Sequence, residues 1–508
     1  MAEAKNQLIR GLTLTDTTAL VIGTVIGSGV FLKAAVMAQE VGTPKLVLLA
    51  WVAAGILSLA GALTYAELGA MLPHAGGEYV YLRHSYGEAS AFLFGWSRFV
   101  VAGSASIASL GAGFAIFLSA FIPLNHVWAS STFRFLGKTI NWQFGSKAIV
   151  AVGAILLLSA INCLTVAFGG KVQSALTILK VAGLAVLIIG VFFFAPSANW
   201  SNLATPQGTA EWTGLSVFGV AMLAALWGYD GWNNMPMAAG EVKNPGRNIP
   251  FALIFGMIIV MAIYCLANLA YFYALPFNEV ATANSTQFRD APSVAAKAAG
   301  SFWAGSGGKL ISIAFVISAL GALNGSILSN ARVPFAMAED GLFFGRMKSL
   351  SKTTHVPVFA IVVQAIWSCV LALSGTFDQL TDCLLFASWI FYGLVTSSVF
   401  VLRRKMPKAE RPYRTLGYPI VPLVFVLVAA WLIYNTLVER PVESVVGLGL
   451  TVIGLPLPGW AVSTRPEVAP MVLGVPTPDP VVCETNCGPP AFPSPPSRST
   501  ASARSACW

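Results

Sequence analysis

Stretches of about 20 apolar residues recur along this chain of 508 residues, and they constrain its fold more than any other feature. As a helix, each stretch is long enough to cross a hydrocarbon core of roughly 30 Å. Only 10% of the residues are charged, whereas soluble proteins contain about 25%, so most of the surface is expected to face lipid. The sequence therefore predicts an all-α membrane protein that crosses the bilayer many times.

We predict twelve transmembrane helices and treat the twelfth as doubtful. The last apolar stretch, Val445 to Pro458, has only 14 residues, and as a helix it would reach about 21 Å. Beyond it, the composition of 459–508 predicts a disordered tail. The other predicted spans lie at about 15–39, 46–71, 90–122, 147–168, 173–194, 214–241, 249–275, 309–338, 356–374, 380–402 and 420–437.

The net charge of +9 is distributed as expected for a membrane protein rather than for a nucleic-acid-binding protein. Lys and Arg are concentrated in alternate loops, such as 243–247 and 403–414. By the positive-inside rule these loops are cytoplasmic, and so is the N-terminal segment 1–14. The first span is too long for a signal peptide. We therefore expect a multi-pass protein of the plasma membrane that binds no nucleic acid.

The first span contains Gly23-Thr24-Val25-Ile26-Gly27-Ser28-Gly29, which is a poor sequence for a continuous helix. It favours a helix that is broken within the membrane. A break frees backbone N–H and C=O groups, and a bilayer tolerates this only where the backbone lines a buried cavity. Broken helices at mid-membrane hold the substrate in many secondary transporters.

A second interruption, Trp227-Gly228-Tyr229-Asp230-Gly231, lies in the sixth span. Interrupted helices at corresponding positions of two halves indicate an inverted repeat with a central site. We therefore predict a first repeat at 15–194 and a second at 214–402, each of five helices. The outer helices 11 and 12 would occupy 420–458.

The two breaks together suit a zwitterion. For the carboxylate we predict Ser28 and the N–H groups near Gly27 and Gly29, because the N-terminus of a half-helix attracts anions. For the ammonium we predict the carbonyls around Ile22 and Trp227. The alternative is that the glycines only allow close helix packing.

Two charged residues lie at membrane depth. Lys180 in span 5 either bridges the first break to Ser326 or Ser329, in place of a metal cation, or extends to the cytoplasmic interface. Asp230 either receives the side chain of a cationic substrate or caps local N–H groups. For Glu67 we expect a structural ion pair with Arg83 or another loop base.

Several motifs resemble the L-type amino acid transporter family of the amino acid–polyamine–organocation superfamily. They are Gly23–Phe31, Tyr65–Gly69 with Pro73, Gly76–Tyr79, Asp230–Asn233, Glu241–Pro245, Asn324-Gly325 with Arg332, and Arg411–Tyr413. The resemblance implies two inverted repeats of five helices with two outer helices, and sodium-independent amino acid exchange. It implies that Trp227, next to Gly228, covers the substrate, that Tyr264 lies beside its path, and that Lys180 replaces a sodium ion.

Eukaryotic members of this family join a heavy subunit through a cysteine between helices 3 and 4. The corresponding loop here, 123–147, contains no cysteine. We therefore expect no disulfide-linked heavy subunit and a stand-alone carrier of a prokaryotic inner membrane.

We conclude that the chain is an L-amino acid exchanger that works by alternating access, without a cofactor or a metal. Cys483 and Cys487 in the tail are weak zinc candidates because no two further ligands lie nearby. The alternative is a proton-coupled symporter in which Lys180 titrates. No nucleophile–base pair lies at membrane depth, so we do not expect an enzyme. The preferred substrate side chain, whether small neutral, large neutral or cationic, stays open.

Overall fold

A computed structural model describes residues 8–454, except for 136–137, 205–213, 286, 289–290, 304, 306, 375–376 and 440. The predicted tail at 459–508, with Cys483 and Cys487, lies outside the described residues. In the described chain the one sheet is an antiparallel hairpin of β1 (Val127–Phe135) and β2 (Lys138–Gly145). The sequence did not predict this hairpin, which lies in the loop before the fourth span.

All other regular structure in the described chain is helical. The α-helices are α1 (Leu14–Val25), α2 (Gly29–Val41), α3 (Pro44–Met71), α4 (Glu78–Tyr86), α5 (Glu88–Trp96), α6 (Gly103–Leu118), α7 (Ser146–Asn162), α8 (Val166–Phe194), α9 (Leu215–Tyr229), α10 (Asn234–Met237), α11 (Pro245–Ala274), α12 (Phe277–Ala281), α13 (Val294–Gly300), α14 (Gly307–Asn330), α15 (Arg332–Glu339), α16 (Val358–Ser374), α17 (Phe377–Lys405), α18 (Ile420–Glu439) and α19 (Pro441–Val452).

Within the described residues, seven helical segments are long and apolar enough to cross a membrane, and three shorter apolar helices accompany them. This confirms an all-α, multi-pass membrane protein. The helix at the twelfth predicted position, α19, begins four residues before the predicted stretch and ends at Val452. With 12 residues it reaches about 18 Å, less than the thickness of the hydrocarbon core.

Both predicted helix breaks are present. The first span divides into α1 and α2, and only 26–28 separate them. The sixth span divides into α9 and α10, which 230–233 separate. Two irregularities were not predicted: a π-helical turn, Ser97–Ala102, joins α5 to α6, and the eighth span is interrupted between α14 and α15.

The start of α1 follows directly from its sequence. Thr13 Oγ1 accepts a hydrogen bond from the Asp16 N–H, and the Asp16 carboxylate accepts one from the Thr13 N–H. This capping box satisfies two N–H groups that a helix end leaves unpaired. Asp16 also accepts a bond of 2.9 Å from Ser174 in α8, so the cap fixes α1 against α8.

Buried ion pairs join distant parts of the chain. Glu67 lies 2.7 Å from Arg403 and 3.4 Å from Arg411. The expected ion pair of Glu67 therefore forms with bases of the 403–414 run, whereas Arg83 lies against Asp340. In another pair, Arg332 makes a two-pronged contact with Glu241, and both side chains are 1% exposed.

A candidate binding site between two broken helices

A cavity of about 40 Å³ lies between the two breaks. Residues of both breaks line it, together with residues of α6 and α14. The lining residues are Thr24, Val25, Gly27, Ser28, Gly29, Ser106, Ser109, Leu110, Trp227, Gly228, Asp230, Gly231, Asn234 and Ser326. Six of the eight predicted substrate-binding residues are therefore brought together, and Ile22 and Tyr264 are not among them.

The glycines of the first break serve different purposes. A Cβ on Gly23 would lie 2.1 Å from Gln173 and 2.3 Å from Thr177, so Gly23 allows α1 to pack closely on α8. A Cβ on Gly29 would lie 2.6 Å from the Cα of Gly228 in the second break. At Gly27 the nearest atoms would be 3.9 Å away. The packing interpretation thus accounts for Gly23, whereas at Gly27 a Cβ would fit at ordinary van der Waals distance.

The carbonyl groups around the first break are already occupied. The Ile22 carbonyl accepts a bond from the Ile26 N–H at 2.9 Å, as in any helix end, and Ile22 does not line the cavity. The Val25 carbonyl lies 2.9 Å from the hydroxyl oxygen of Tyr264. Ile22 therefore does not provide the ammonium acceptor that the sequence suggested, and the Gly27 N–H, a predicted carboxylate donor, is bonded to the Val25 carbonyl at 2.7 Å.

In the cavity, the hydroxyl of Ser28 is the clearest candidate for a hydrogen bond to a substrate. Ser28 is 4% exposed, and its hydroxyl has no hydrogen-bond partner among the described residues. A buried polar group without a partner costs about 1–3 kcal/mol. Ser28 directly precedes the first turn of α2, where free N–H groups and the helix dipole favour an anion.

Lys180 lies behind the first break and is fully buried. Its ammonium donates to the carbonyl oxygens of Gly23 at 2.8 Å, Ile26 at 2.7 Å and Ser318 at 2.8 Å. Lys180 therefore bridges α8, the first break and α14, and it does not extend to the interface.

The predicted α14 partners of Lys180 need correction. The contact on α14 is the carbonyl of Ser318, and the Ser318 hydroxyl also donates to the Ile26 carbonyl at 2.9 Å. Ser326 instead lines the cavity, and the buried Ser329 hydroxyl has no hydrogen-bond partner among the described residues. Ser318 lies closer to the first break because it is two helical turns before Ser326 on α14.

Asp230 lies in the second break and lines the cavity. Its carboxylate accepts hydrogen bonds from the Tyr392 hydroxyl and from the Gly231 N–H. The Gly231 contact agrees with the prediction that Asp230 caps local N–H groups. Its position in the cavity agrees with the alternative, that Asp230 receives the side chain of a cationic substrate. The geometry is compatible with both roles.

A second, smaller cavity of about 10 Å³ lies near the first. Arg98, in the π-helical turn, and Tyr392 line it. Arg98 donates to Asn234, and Tyr392 to Asp230, both of which line the first cavity. These two contacts separate the cavities.

Sequence reasoning missed several residues of the cavity and its wall: Thr24, Ser106, Ser109, Leu110, Asn234, Arg98 and Tyr392. Ser106 and Ser109 carried a usable signal, since two hydroxyls three residues apart share one face of an apolar helix. Arg98 carried another, because arginine within a membrane span is usually functional or paired. Tyr392 carried no signal in the sequence, because its contact with Asp230 depends on the position of α17.

The fold and the cavity define a class of protein, the secondary transporter with discontinuous helices. A family model described as amino acid permease matches residues 12–455. The chain therefore belongs to the amino acid permease family, and the expectation of an amino acid transporter is confirmed.

Curated relatives cover most of the chain. The serine/threonine exchanger SteT of Bacillus subtilis is 32% identical over 454 residues, which are 89% of this chain and 97% of SteT. The human b(0,+)-type amino acid transporter 1 is 29% identical over 85% of this chain and 84% of its own length. The human cystine/glutamate transporter is 26% identical over 89% of this chain and 85% of its own length.

Proposed function

We propose that this protein exchanges L-amino acids across the plasma membrane, independently of sodium, by alternating access around the two breaks. The observation that carries the proposal is the unpartnered Ser28 hydroxyl at the N-terminus of α2, inside a cavity between two breaks. The names of two relatives support it, because they describe a serine/threonine exchanger and an amino acid transporter.

The substrate carboxylate would bind at the N-terminus of α2. Ser28 donates its hydroxyl proton there, and the N–H groups of the first turn complete the site. The carbonyls of the first break accept hydrogen bonds from Lys180, Ser318 and Tyr264. The substrate ammonium would bind at the second break, where the Asp230 carboxylate lines the cavity beside Trp227, and the two breaks would fix the direction of the zwitterion.

The walls of the cavity favour a small neutral side chain. Four hydroxyl-bearing residues, Thr24, Ser106, Ser109 and Ser326, line it, with Leu110 as an aliphatic contact. We therefore propose serine and threonine, the substrates in the name of the Bacillus relative, as the first to be tested. Cationic substrates form the second candidate group, because Asp230 also lines the cavity.

Lys180 would supply the cation of this site without an ion from solution. Its ammonium satisfies three carbonyl oxygens that a bound metal cation would otherwise satisfy. An ammonium held there would remove the need for sodium. Proton-coupled symport, in which Lys180 would release its proton, is not favoured, because SteT is named an exchanger.

Proteoliposomes loaded with radiolabelled L-serine test this proposal. An exchanger releases label only when an amino acid is added outside, equally with and without sodium. Release into buffer that lacks amino acids, or uptake that follows an imposed pH gradient, would contradict exchange. A competition panel of the twenty amino acids then defines the side-chain preference.

We also propose that segment 1–14 is cytoplasmic in a prokaryotic inner membrane and that no heavy subunit is attached by a disulfide. The absence of cysteine from 123–147 supports the second point. However, one mouse relative, 26% identical, is named a transporter small subunit. Non-reducing gels of the protein from its native membrane should show no band that shifts on reduction.

A further inference from the structure

The hydroxyl of Tyr264 connects the first break to the second. It lies 2.9 Å from the carbonyl oxygen of Val25 and 2.9 Å from that of Gly228. Val25 is the last residue of α1, and Gly228 lies in the last turn of α9. One side chain of α11 therefore reaches the ends of both half-helices.

Tyr264 does not touch the cavity. Its side chain is fully buried, and its ring is held at 5.3 Å from the ring of Trp51 and at 4.9 Å from that of Tyr229. Because these rings fix the phenol, its hydroxyl cannot turn towards a substrate. Any effect of Tyr264 on the substrate must pass through the backbone of the two breaks.

Thr24 makes a second connection between the breaks. Its hydroxyl lies 2.6 Å from the Leu20 carbonyl oxygen of its own helix and 2.9 Å from the carbonyl oxygen of Gly231 in the second break. Gly231 has a φ of +116°, and a Cβ there would lie 2.7 Å from the Thr24 carbonyl oxygen. The two chains therefore approach closely at a point where only glycine fits.

We propose that Tyr264 and Thr24 are positioning residues, whose hydroxyls hold the two breaks at the separation that a zwitterion requires. This inference rests on the proposed function. The carboxylate and the ammonium of an amino acid are attached to the same carbon, so their two binding surfaces tolerate little change in spacing. The Tyr264 hydroxyl can donate its one proton to a carbonyl of either break or share it between them, so it fixes that spacing without occupying the cavity. The Thr24 hydroxyl acts on the same spacing from the wall of the cavity.

A matched pair of tyrosine substitutions tests the role of Tyr264. Tyr264→Phe removes only the hydroxyl that connects the breaks. Tyr271→Phe, two turns further along α11, removes a hydroxyl that is also buried but has no hydrogen-bond partner among the described residues. Both variants and the wild-type protein are reconstituted, and half-saturation and maximal rate are measured for radiolabelled L-serine.

We expect Tyr264→Phe to raise the half-saturation concentration roughly three- to tenfold, the effect of one net hydrogen bond, with a nearly unchanged maximal rate. Tyr271→Phe should stay within about twofold of the wild type. An unchanged half-saturation for Tyr264→Phe, or an equal rise for Tyr271→Phe, overturns the inference. If the wild-type protein itself exchanges no amino acid of the panel, it is the proposed function that fails.

Thr24 gives an independent test, which also serves if Tyr264→Phe does not fold. Thr24→Ser keeps the hydroxyl, whereas Thr24→Val keeps the shape and loses it. We expect the valine variant to show the raised half-saturation and the serine variant to remain near the wild type. Equal values for the two variants would contradict a positioning role for this hydroxyl.

Discussion

The ammonium of Lys180 lies 2.7 Å from the carbonyl oxygen of Ile26, the first residue of the first helix break. This carbonyl follows the end of α1, where the helix dipole is negative and where carbonyl groups lack their usual intrahelical donors. A buried ammonium is costly in a membrane unless it is compensated. Here the Lys180 ammonium satisfies the free carbonyl groups, and those carbonyls compensate the buried charge. This explains how a broken helix and a buried lysine can coexist.

Lys180→Met should therefore abolish most of the exchange. The substitution keeps much of the side-chain volume but leaves the carbonyls of Gly23, Ile26 and Ser318 without this donor. The Ile26 carbonyl keeps its bond from the Ser318 hydroxyl, but the charge-assisted contacts of Lys180, worth about 1.5–3 kcal/mol each, are lost. We therefore expect exchange to fall by at least about tenfold. Lys171→Met, at an exposed position of the same helix, is the control. A Lys180→Met protein that exchanges normally would show that the bridge is dispensable.

Asp230→Asn distinguishes the two roles of this carboxylate. If Asp230 receives a cationic side chain, the substitution lowers arginine uptake more than leucine uptake, because a charge-assisted contact of about 1.5–3 kcal/mol is lost. If Asp230 only caps the second break through Gly231, both uptakes fall equally. Parallel uptake assays with the two labelled amino acids decide between these roles.

Gly27→Ala should weaken substrate binding without destabilising the fold. The nearest atoms to the added methyl group lie 3.9 Å away, so it fits, but it occupies space at the wall of the cavity. Gly23→Ala should destabilise instead, by about 1–3 kcal/mol, because the methyl group would overlap Gln173 and Thr177.

Thermal unfolding in detergent and half-saturation for exchange separate the two glycine effects. Gly153→Ala, with no atom within 4 Å of the added Cβ, is the control for helix propensity. A Gly27→Ala protein that unfolds earlier than Gly23→Ala would contradict the assignment of packing and cavity roles.

Lys33→Met should lower substrate affinity, although Lys33 itself is not among the residues that line the cavity. The Lys33 ammonium lies 4.4 Å from the centre of the Trp227 ring, and Trp227 lines the cavity. Losing a cation–π contact of about 0.5–1 kcal/mol should raise half-saturation about two- to fivefold. Lys33→Arg should retain affinity, because guanidinium also stacks on aromatic rings. Half-saturation measurements that give the same value for both variants would rule out the cation–π contact as the cause.

The sequence predicted the broken helices because their cause is local. Glycines and polar residues at 23–29 and 227–234 lower helix propensity within otherwise apolar runs. The same local signals led to Gly27, Ser28, Gly29, Trp227, Gly228 and Asp230, all of which line the cavity.

Tertiary structure decided which backbone groups remain free. Ile22 and Tyr264 were predicted to contact the substrate, but the Ile22 carbonyl is bonded within α1 and Tyr264 lies behind the breaks. Whether a carbonyl is free depends on which side chains of α8, α11 and α14 reach it, and no local pattern encodes that.

The amino-acid sequence by itself determined that the chain crosses the membrane many times and that two of its spans break, because hydropathy and glycine content act over a few turns of helix. Only the tertiary structure decided that Lys180 contacts Ser318 rather than Ser326 or Ser329, and that Tyr392 contacts Asp230. Those contacts join residues more than 100 positions apart, so they follow from how whole helices pack.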